Sequence, residues 1–143
     1  MPPNEPMAYL GVPRSAAVAA GDVLRKLFPK ARQVKSKGPR DIVTDADFAA
    51  QAAILDRLRA AYPDHAILSE EGRHDIDLTS ATPTWIIDPL DGTTNFLHSF
   101  PHLAVSIACR HRGRLEAGVV FDPLRGELFT AARGTGAQLD GRR

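Results

Sequence analysis

The hydrophobic pattern of the chain changes at about residue 65, from the period of a helix to the period of a strand. Short runs rich in β-branched residues follow, at residues 66–72, 84–88, 103–109, 115–121 and 127–131. The connections between the last three runs, RHRGR and DPLRG, are so short that an antiparallel meander is predicted. Such a sheet must bury one face against other elements, which the first part of the chain has to supply.

Two amphipathic helices are predicted ahead of the strands. The first spans about residues 14–28, and Pro13 delays its start. Its apolar stripe consists of Ala16, Ala20, Leu24 and Leu27. Residues 33–41 are polar and contain a Gly-Pro pair, which is typical of a loop.

The second helix is predicted to begin at Thr44, the N-cap of a capping box in which Asp47 is the acid. Its apolar face consists of Phe48, Ala52, Ile54, Leu55, Leu58 and Tyr62. Two helices followed by a run of strands indicate the α+β class, with two N-terminal helices packed on a largely antiparallel sheet.

The composition fits one globular domain over residues 1–143. Of these residues 43% are hydrophobic and 24% charged, and the net charge of +1 does not favour nucleic acid or a membrane as the main partner. No apolar span approaches the roughly 20 residues that cross a bilayer, and a cytoplasmic protein is expected. The single cysteine, Cys109, excludes an internal disulfide, and its apolar neighbours predict a buried thiol.

The end of the chain carries a hairpin signal, Asp140-Gly141, with no strand sequence after it. One interpretation is a polypeptide that ends where a larger fold would continue. The alternative is a frayed tail.

The stretch WIIDPLDGTTNF (residues 85–96) places two carboxylates, Asp88 and Asp91, at the end of an apolar strand. A second acidic pair, Glu70-Glu71, also follows an apolar run, and Asp45 and Asp47 lie near the start of the second helix. Acids that converge from separate elements repel one another unless a cation neutralises them. Mg²⁺ favours carboxylates together with water and phosphate, so a magnesium site is predicted.

The residues after Asp91 suit phosphate, because GTTN offers a flexible glycine, hydroxyls and backbone N–H groups near a helix start. Together the acids and this turn indicate transfer of a phosphoryl group to water. Each piece also has a simpler interpretation: a turn for the Asp88–Gly92 stretch, helix capping for Asp45 and Asp47, and a solvated strand end for Glu70-Glu71. The five histidines are predicted to be loop or surface residues rather than ligands.

These motifs resemble those of the inositol monophosphatase family, whose members are Mg²⁺-dependent, lithium-sensitive phosphatases. The likeness is carried by GPRDIVTDAD, ILSEEG and WIIDPLDGTTNF at matching distances, and by FPHLAVSIAC and AGVVFDPLRGELFTAARGTGAQLDG after them. The resemblance covers nearly the whole chain from about residue 37. It implies the N-terminal half of a layered α/β/α/β/α sugar-phosphatase fold.

The resemblance also implies roles for individual residues. Glu70, Asp88 and the Leu90 carbonyl would hold one Mg²⁺, and Asp88 and Asp91 would share a second. Thr93, hydrogen-bonded towards Asp47, would orient the attacking water, which Glu70 helps to activate. Phosphate would contact the N–H groups of Gly92 and Thr93 and the metal-binding residues Glu70, Leu90 and Asp91. Lys37 and, through a third ion, Glu71 are weaker assignments.

The function implied is hydrolysis of inositol monophosphate or a related polyol phosphate, with a homodimer expected for the full-length protein. The family's C-terminal half, with a further acid for the second metal, is absent from these 143 residues, so this chain is expected to be inactive or nearly so and to self-associate. Two alternatives remain: a non-catalytic regulatory or interaction module, and a phosphatase for another ester such as fructose bisphosphate, histidinol phosphate or phosphoadenosine phosphate.

Overall fold

A computed structural model describes residues 6–28, 39–69 and 81–143, and for residues 39–44 it describes the backbone alone. After a 3₁₀ turn at Pro6–Tyr9, the helices are α1 (Gly11–Leu27), α2 (Pro39–Ala61) and α3 (Thr93–Leu97). The strands are β1 (Ala66–Ser69), β2 (Thr84–Asp91), β3 (Ala104–His111), β4 (Arg114–Asp122), β5 (Glu127–Ala132) and β6 (Gly136–Leu139). Among the described residues, no helix is both long and apolar enough to cross a membrane.

The six strands in the described part of the chain form one sheet in sequential order. β1 is parallel to β2, and every later pair of neighbours is antiparallel. The predicted α+β class and the antiparallel meander of β3, β4 and β5 are therefore confirmed. Residues 70–72 of the first predicted strand lie outside the described residues, and β6 was not predicted.

The helices cover one face of the sheet. α1 packs on β3 and β4, and α2 packs on β2 and on α1. The covered face consists of fully or almost fully buried side chains: Trp85, Ile87, Val105, Ile107, Cys109, Ala117, Val119 and Phe121. α1 approaches closely because Gly21 has no side chain, and a Cβ there would lie 2.4 Å from the ring of Phe121. The residues that alternate with this set face the other side of the sheet.

The first helix agrees with the prediction except at its start. Ala16, Ala20 and Leu24 are fully buried and Leu27 is partly buried, as expected from the apolar stripe. α1 begins at Gly11, so the prediction that Pro13 delays the helix is wrong. Pro13 lies buried in the first turn, where the backbone N–H that proline lacks would have no partner within the helix.

The start and the buried face of the second helix differ from the prediction. α2 begins at Pro39, five residues before Thr44, so the predicted capping box and the end of the preceding loop are wrong. Proline is favoured at the first helical position, which explains how the helix can begin there. Among the described side chains of α2, Ala46, Ala50, Ile54 and Leu58 are fully buried, which confirms the prediction for Ile54 and Leu58. Phe48, predicted to be buried, is 59% exposed because alanines rather than aromatic residues face α1.

The predicted turn at Asp140-Gly141 is present and is held against β5. Both residues have positive φ (50° and 79°), and Leu139 pairs with Arg142 across the turn. The Leu128 N–H donates to the Asp140 carboxylate at 2.9 Å, and the Asp140 N–H donates to the Leu128 carbonyl at 2.8 Å. These bonds exclude the interpretation of this segment as a frayed tail.

Candidate metal and active site

The two carboxylates of β2 lie on the same face of the sheet. Asp88 is opposite Ser106 of β3, and Asp91 is opposite Ala104. Ser106 and Ala104 are two residues apart and therefore point to one face. In a regular strand, residues three apart would point to opposite faces, so a bulge of one residue in β2 produces the shared orientation. Both acids are presented together at the C-terminal end of β2.

The residues between the acids explain the bulge. Pro89 has no N–H to donate to the ladder, and proline inside a sheet is tolerated at bulges. The register between β2 and β3 pairs neither Pro89 nor Leu90 with a partner, and both residues are buried. Asp88 is half-buried and Asp91 is exposed. Two buried side chains thus fix the backbone from which the two carboxylates project.

Gly92 turns the chain from β2 directly into α3. Its φ is +102°, a conformation that glycine adopts without strain. A Cβ at this position would lie 2.9 Å from the carbonyl oxygen of His102, so a larger residue does not fit. The Phe96 N–H donates to the Gly92 carbonyl at 2.9 Å and closes the first turn of α3. The predicted turn and helix start are confirmed, and Thr93, the first residue of the helix, is exposed.

Asn95 ties this turn to the beginning of β3. Its side-chain amide donates to the His102 carbonyl at 2.7 Å, and its own carbonyl accepts from the Phe100 N–H at 2.7 Å. Phe96, the next residue, is fully buried and stacks edge-on with Phe28 after α1. In the stretch GTTNF, the asparagine and phenylalanine therefore position the backbone. This role of Asn95 was not predicted from the sequence.

The aspartates of α2 lie inside the helix rather than at its start. Asp45 and Asp47 are six and eight residues beyond Pro39, the first residue of α2, so their interpretation as capping residues is wrong. Asp45 is exposed and Asp47 is half-buried. α2 packs against α3, which begins at Thr93. The fold thus brings the helix that carries Asp47 into contact with the helix that carries Thr93.

Three predicted site residues, Lys37, Glu70 and Glu71, lie outside the described residues. β1 ends at Ser69, whose partner in the parallel strand β2 is Ile87, the residue before Asp88. Within residues 6–28, 39–69 and 81–143, no group of three or more His, Cys, Asp or Glu residues is arranged to hold a metal ion. Asp88 and Asp91 are the predicted carboxylate ligands that this part of the chain contains.

An open cleft of about 330 Å³ lies beside Asp91. Its far side is formed by the β4–β5 turn, where Asp122, Arg125 and Glu127 line it and Phe129 supplies an apolar wall. The Arg125 guanidinium lies 3.9 Å from the Asp122 carboxylate and 4.0 Å from that of Glu127. From the sequence, DPLRG was predicted to be a connection only. The two acids at the ends of this turn, Asp122 and Glu127, were the sequence signal that the turn contributes to a site.

Two titratable groups outside this cleft, Cys109 and His65, contact the interior of the fold. Cys109 is buried, as predicted, and burial raises the pKa of its thiol to about 12, which disfavours a thiolate nucleophile. His65 lies in the turn before β1 but is half-buried, with its ring stacked on Tyr62 at 4.6 Å, and the Trp85 indole N–H donates to its Nδ1 at 3.0 Å. Burial lowers the pKa of His65, and the charge of His111 lowers it further.

Comparison with known proteins identifies relatives of this chain. The sequence profile of the inositol monophosphatase family matches residues 7–143. The Nus factor SuhB of Salmonella typhimurium is 50% identical over 140 residues, an alignment that covers 96% of this chain and 51% of the relative. The Escherichia coli protein of the same name is 49% identical over 140 residues, with the same coverage. The chain thus spans about half the length of these curated relatives.

Solved structures agree with the sequence comparison. The extragenic suppressor protein suhB of Bartonella henselae superimposes with a TM-score of 0.82 and 40% identity, covering 95% of this chain and 52% of that one. The inositol monophosphatase of Anabaena gives a TM-score of 0.75 and 36% identity, with coverages of 95% and 46%. The profile match extends over most of the chain and agrees with both the motifs and the fold. The chain therefore belongs to the inositol monophosphatase family.

Proposed function

We propose that this chain forms the metal-binding part of a phosphomonoesterase that hydrolyses inositol monophosphate, or a related polyol phosphate, with Mg²⁺. Family membership supports the reaction class. One observation carries the proposal: Asp88 and Asp91 share a face of the sheet immediately before the Gly92 turn. Two carboxylates that a bulge orients in the same direction repel each other, and a divalent cation bound between them would offset that repulsion.

The available donor atoms fit a hard divalent cation. Asp88, Asp91 and the Leu90 backbone offer oxygen ligands, which Mg²⁺ prefers. The bulge leaves Leu90 outside the regular register, and this supports a role for its carbonyl. The pairing of Ser69 with Ile87 supports Glu70, the next residue in the sequence, as a partner of Asp88. When bound, two Mg²⁺ ions, or three with Glu71, would polarise the phosphate and stabilise the attacking and leaving oxygens.

The chain's own residues would position the water and the phosphate. The hydroxyl of Thr93 would hold the attacking water, Asp47 would orient that hydroxyl, and Glu70 would take up a proton from the water. The packing of α2 against α3 supports the pairing of Asp47 with Thr93. The N–H groups of Gly92 and Thr93 would bind phosphate oxygens, and Lys37 would add a positive charge near them.

These residues provide fewer metal ligands than two cations would require. They would provide most ligands of the first cation but only Asp88 and Asp91 for the second. Mg²⁺ requires near-octahedral geometry and gives up its water reluctantly, so a site short of a carboxylate binds it weakly. We therefore expect the 143-residue chain to bind one divalent ion and to show little phosphatase activity.

Phosphate release tests the proposal in two chains, this one and a version extended to the length of its relatives. The substrates are inositol monophosphate, fructose bisphosphate, histidinol phosphate and phosphoadenosine phosphate, each across a range of Mg²⁺ concentrations with and without Li⁺. We expect Mg²⁺-dependent, Li⁺-sensitive release by the extended chain, fastest with the inositol ester, and loss of that release in its Asp91→Asn variant. Equal release by the variant, or release without Mg²⁺, would contradict the assignment.

The names of the curated relatives favour a second candidate function, that of a non-catalytic interaction module. These relatives are called a factor rather than an enzyme. If the extended chain binds Mg²⁺ but releases no phosphate from any of the esters, the second candidate is the better description. Fastest release from one of the other esters would instead keep the reaction and change the substrate.

A further inference from the structure

The end of the sheet opposite the candidate metal site carries a cluster of arginines. β3 runs from Ala104, the partner of Asp91, to His111, so the two ends of this strand are about 23 Å apart. At the far end, the β3–β4 turn (residues 112–113) lies beside the β5–β6 turn (residues 133–135), because β4 and β5 are antiparallel neighbours. These turns border an open cleft of about 390 Å³, which we call the basic cleft. It is lined by His111, Arg112, Arg114, Glu116 and Arg133.

The tight β3–β4 turn presents two of the arginines. Its central residues, Arg112 and Gly113, both have positive φ (52° and 77°), as in a two-residue hairpin turn. Asparagine, aspartate and glycine are favoured at such positions, so the turn geometry does not explain an arginine there. Arg112 and Arg114 are exposed, and within the described part of the chain neither forms an ion pair. Their guanidinium groups are therefore available to an external anion.

The third arginine of the cleft is held by the buried Glu116. A bulge in β4 pairs Glu116 with no residue of β3. Instead, its carbonyl accepts from the Arg133 N–H at 2.8 Å, and its carboxylate accepts from the Arg133 guanidinium at 3.1 and 3.2 Å. The Glu116 side chain is 7% exposed, whereas that of Arg133 is 47% exposed. Arg133 is thus fixed in orientation and still accessible to a ligand.

The charge and the shape of these groups indicate the kind of anion that fits. Three arginines against one glutamate leave a charge of +2 when His111 is neutral. A group of phosphates supplies matching negative charge and acceptor oxygens that point in several directions, and the planar guanidinium binds such oxygens in pairs. A single carboxylate has two oxygens in one plane, which match one guanidinium. No Phe, Tyr or Trp is among the described residues that line the cleft, so stacking on a base is not the basis of recognition.

From the convergence of these arginines, we propose that the basic cleft binds a ligand that carries clustered phosphate groups. Arg112 and Arg114 bind phosphate oxygens from the β3–β4 turn, and Arg133 binds them from the β5–β6 turn. Two sources share this chemistry: the polyphosphate chain of a small molecule and the backbone of RNA. The site is separate from the candidate metal site and binds its ligand without a divalent cation.

Isothermal titration calorimetry of the 143-residue chain, in low-salt buffer without metal ions, tests the proposal. The probes are inorganic triphosphate and a short single-stranded RNA. We expect saturable binding that is weakened at least about tenfold in the double variant Arg112→Asn, Arg114→Gln, because two charged donors are lost. Asparagine suits the turn, and circular dichroism verifies that the variant is folded; Arg114→Gln alone replaces it otherwise. The matched control is Arg57→Gln, Arg59→Gln, which removes two exposed arginines from α2 and should leave binding unchanged.

Two single variants separate recognition of phosphate from attraction by charge alone. Arg114→Lys keeps the charge but not the planar guanidinium, so it should bind more weakly than the natural chain and more tightly than Arg114→Gln. Glu116→Gln removes the negative charge of the cleft while its amide oxygen can still accept from Arg133. This variant should bind both probes more tightly than the natural chain.

The relative affinities of the two probes identify the source of the phosphates. Tighter binding of triphosphate supports a small polyphosphate as the ligand, and tighter binding of RNA supports its backbone. Absence of binding by the natural chain would overturn the proposal. Equal weakening by the two double variants would also overturn it, since only net charge would then matter. Equally tight binding of a polyglutamate peptide would overturn the assignment to phosphate in favour of an acidic protein segment.

Discussion

Asp88 and Asp91 lie on one face of the sheet because the strand that carries them contains a one-residue bulge. The bulge shifts the partner of Asp91 to Ala104, two residues from the Ser106 partner of Asp88. Without it, the two carboxylates would point to opposite faces, one of them into the helix-covered core. The buried Leu90 side chain holds this arrangement, and the Gly92 turn continues it into α3.

Gly92 should be the least replaceable glycine of the site. Gly92→Ala forces a side chain to φ +102° and brings its Cβ to 2.9 Å from the His102 carbonyl oxygen. Gly126→Ala is the matched control, because its φ is also positive (+68°) but no atom lies within 4 Å of its Cβ position. We expect Gly92→Ala to lower the free energy of unfolding by at least about 1 kcal/mol more than Gly126→Ala. Urea denaturation measures the difference, and equal losses would show that the His102 contact is unimportant.

Gly21 should be needed for the contact between α1 and β4. An alanine Cβ would lie 2.4 Å from the Phe121 ring and 3.0 Å from Pro123. Overpacking of this kind costs about 1–3 kcal/mol, more than the gain of about 1 kcal/mol in helix propensity. Gly11→Ala, in the same helix but with open space around it, should be neutral or slightly stabilising. The melting temperatures of the two variants test this prediction. A higher melting temperature for Gly21→Ala would disprove the close approach of α1 to β4.

His65 should make the chain less stable in acid. Burial and His111 lower its pKa below the ordinary value of 6.5, although Asp64 opposes the shift. The unfolded chain therefore binds a proton more readily than the folded one, and stability falls as the pH falls below 6.5 towards the folded pKa. Protonation of Nδ1 also removes the acceptor of the Trp85 indole N–H.

The measurement is the melting temperature from neutral pH down to about pH 5. His65→Gln cannot titrate, so its melting temperature should fall less over this range than that of the natural chain. His98→Gln, a change at an exposed histidine, should leave the pH dependence as it is. If the melting temperature of all three chains falls equally over this pH range, His65 does not contribute to the acid sensitivity.

The strands could be predicted because their alternating sequence pattern is compatible with only one kind of secondary structure. Alternation of β-branched and small residues located β3, β4 and β5, and the short turns defined their order. The start of α2 was missed because a Gly-Pro pair is typical of loops, although proline is also common at the first position of a helix. On its buried face Ile54 and Leu58 were predicted, whereas Ala46 and Ala50 were missed because alanines give a weak hydrophobic signal and only packing selects them.

Around the candidate site, the strand end, the glycine turn and the helix start could be predicted from the sequence, but their geometry could not. The acids, the glycine and the helix start after Asp91 were found from their spacing. The bulge that orients Asp88 and Asp91 depends on the pairing of β2 with β3, which a single strand sequence does not reveal. The bond from Asn95 to His102 and the cleft formed with Asp122 and Glu127 likewise arise from contacts between distant segments.

A cation titration of this chain tests directly whether Asp91 is a metal ligand. Mn²⁺, which accepts the same oxygen ligands as Mg²⁺, is followed by electron paramagnetic resonance and then displaced with Mg²⁺. Three chains are compared: the natural sequence, Asp91→Asn, and Glu127→Gln, which removes an acid from the same cleft without changing a proposed ligand. We expect the natural chain and Glu127→Gln to bind one ion with the same affinity, and Asp91→Asn to bind it at least about tenfold more weakly. Absence of binding by the natural chain, or binding by Asp91→Asn with unchanged affinity, would contradict this expectation.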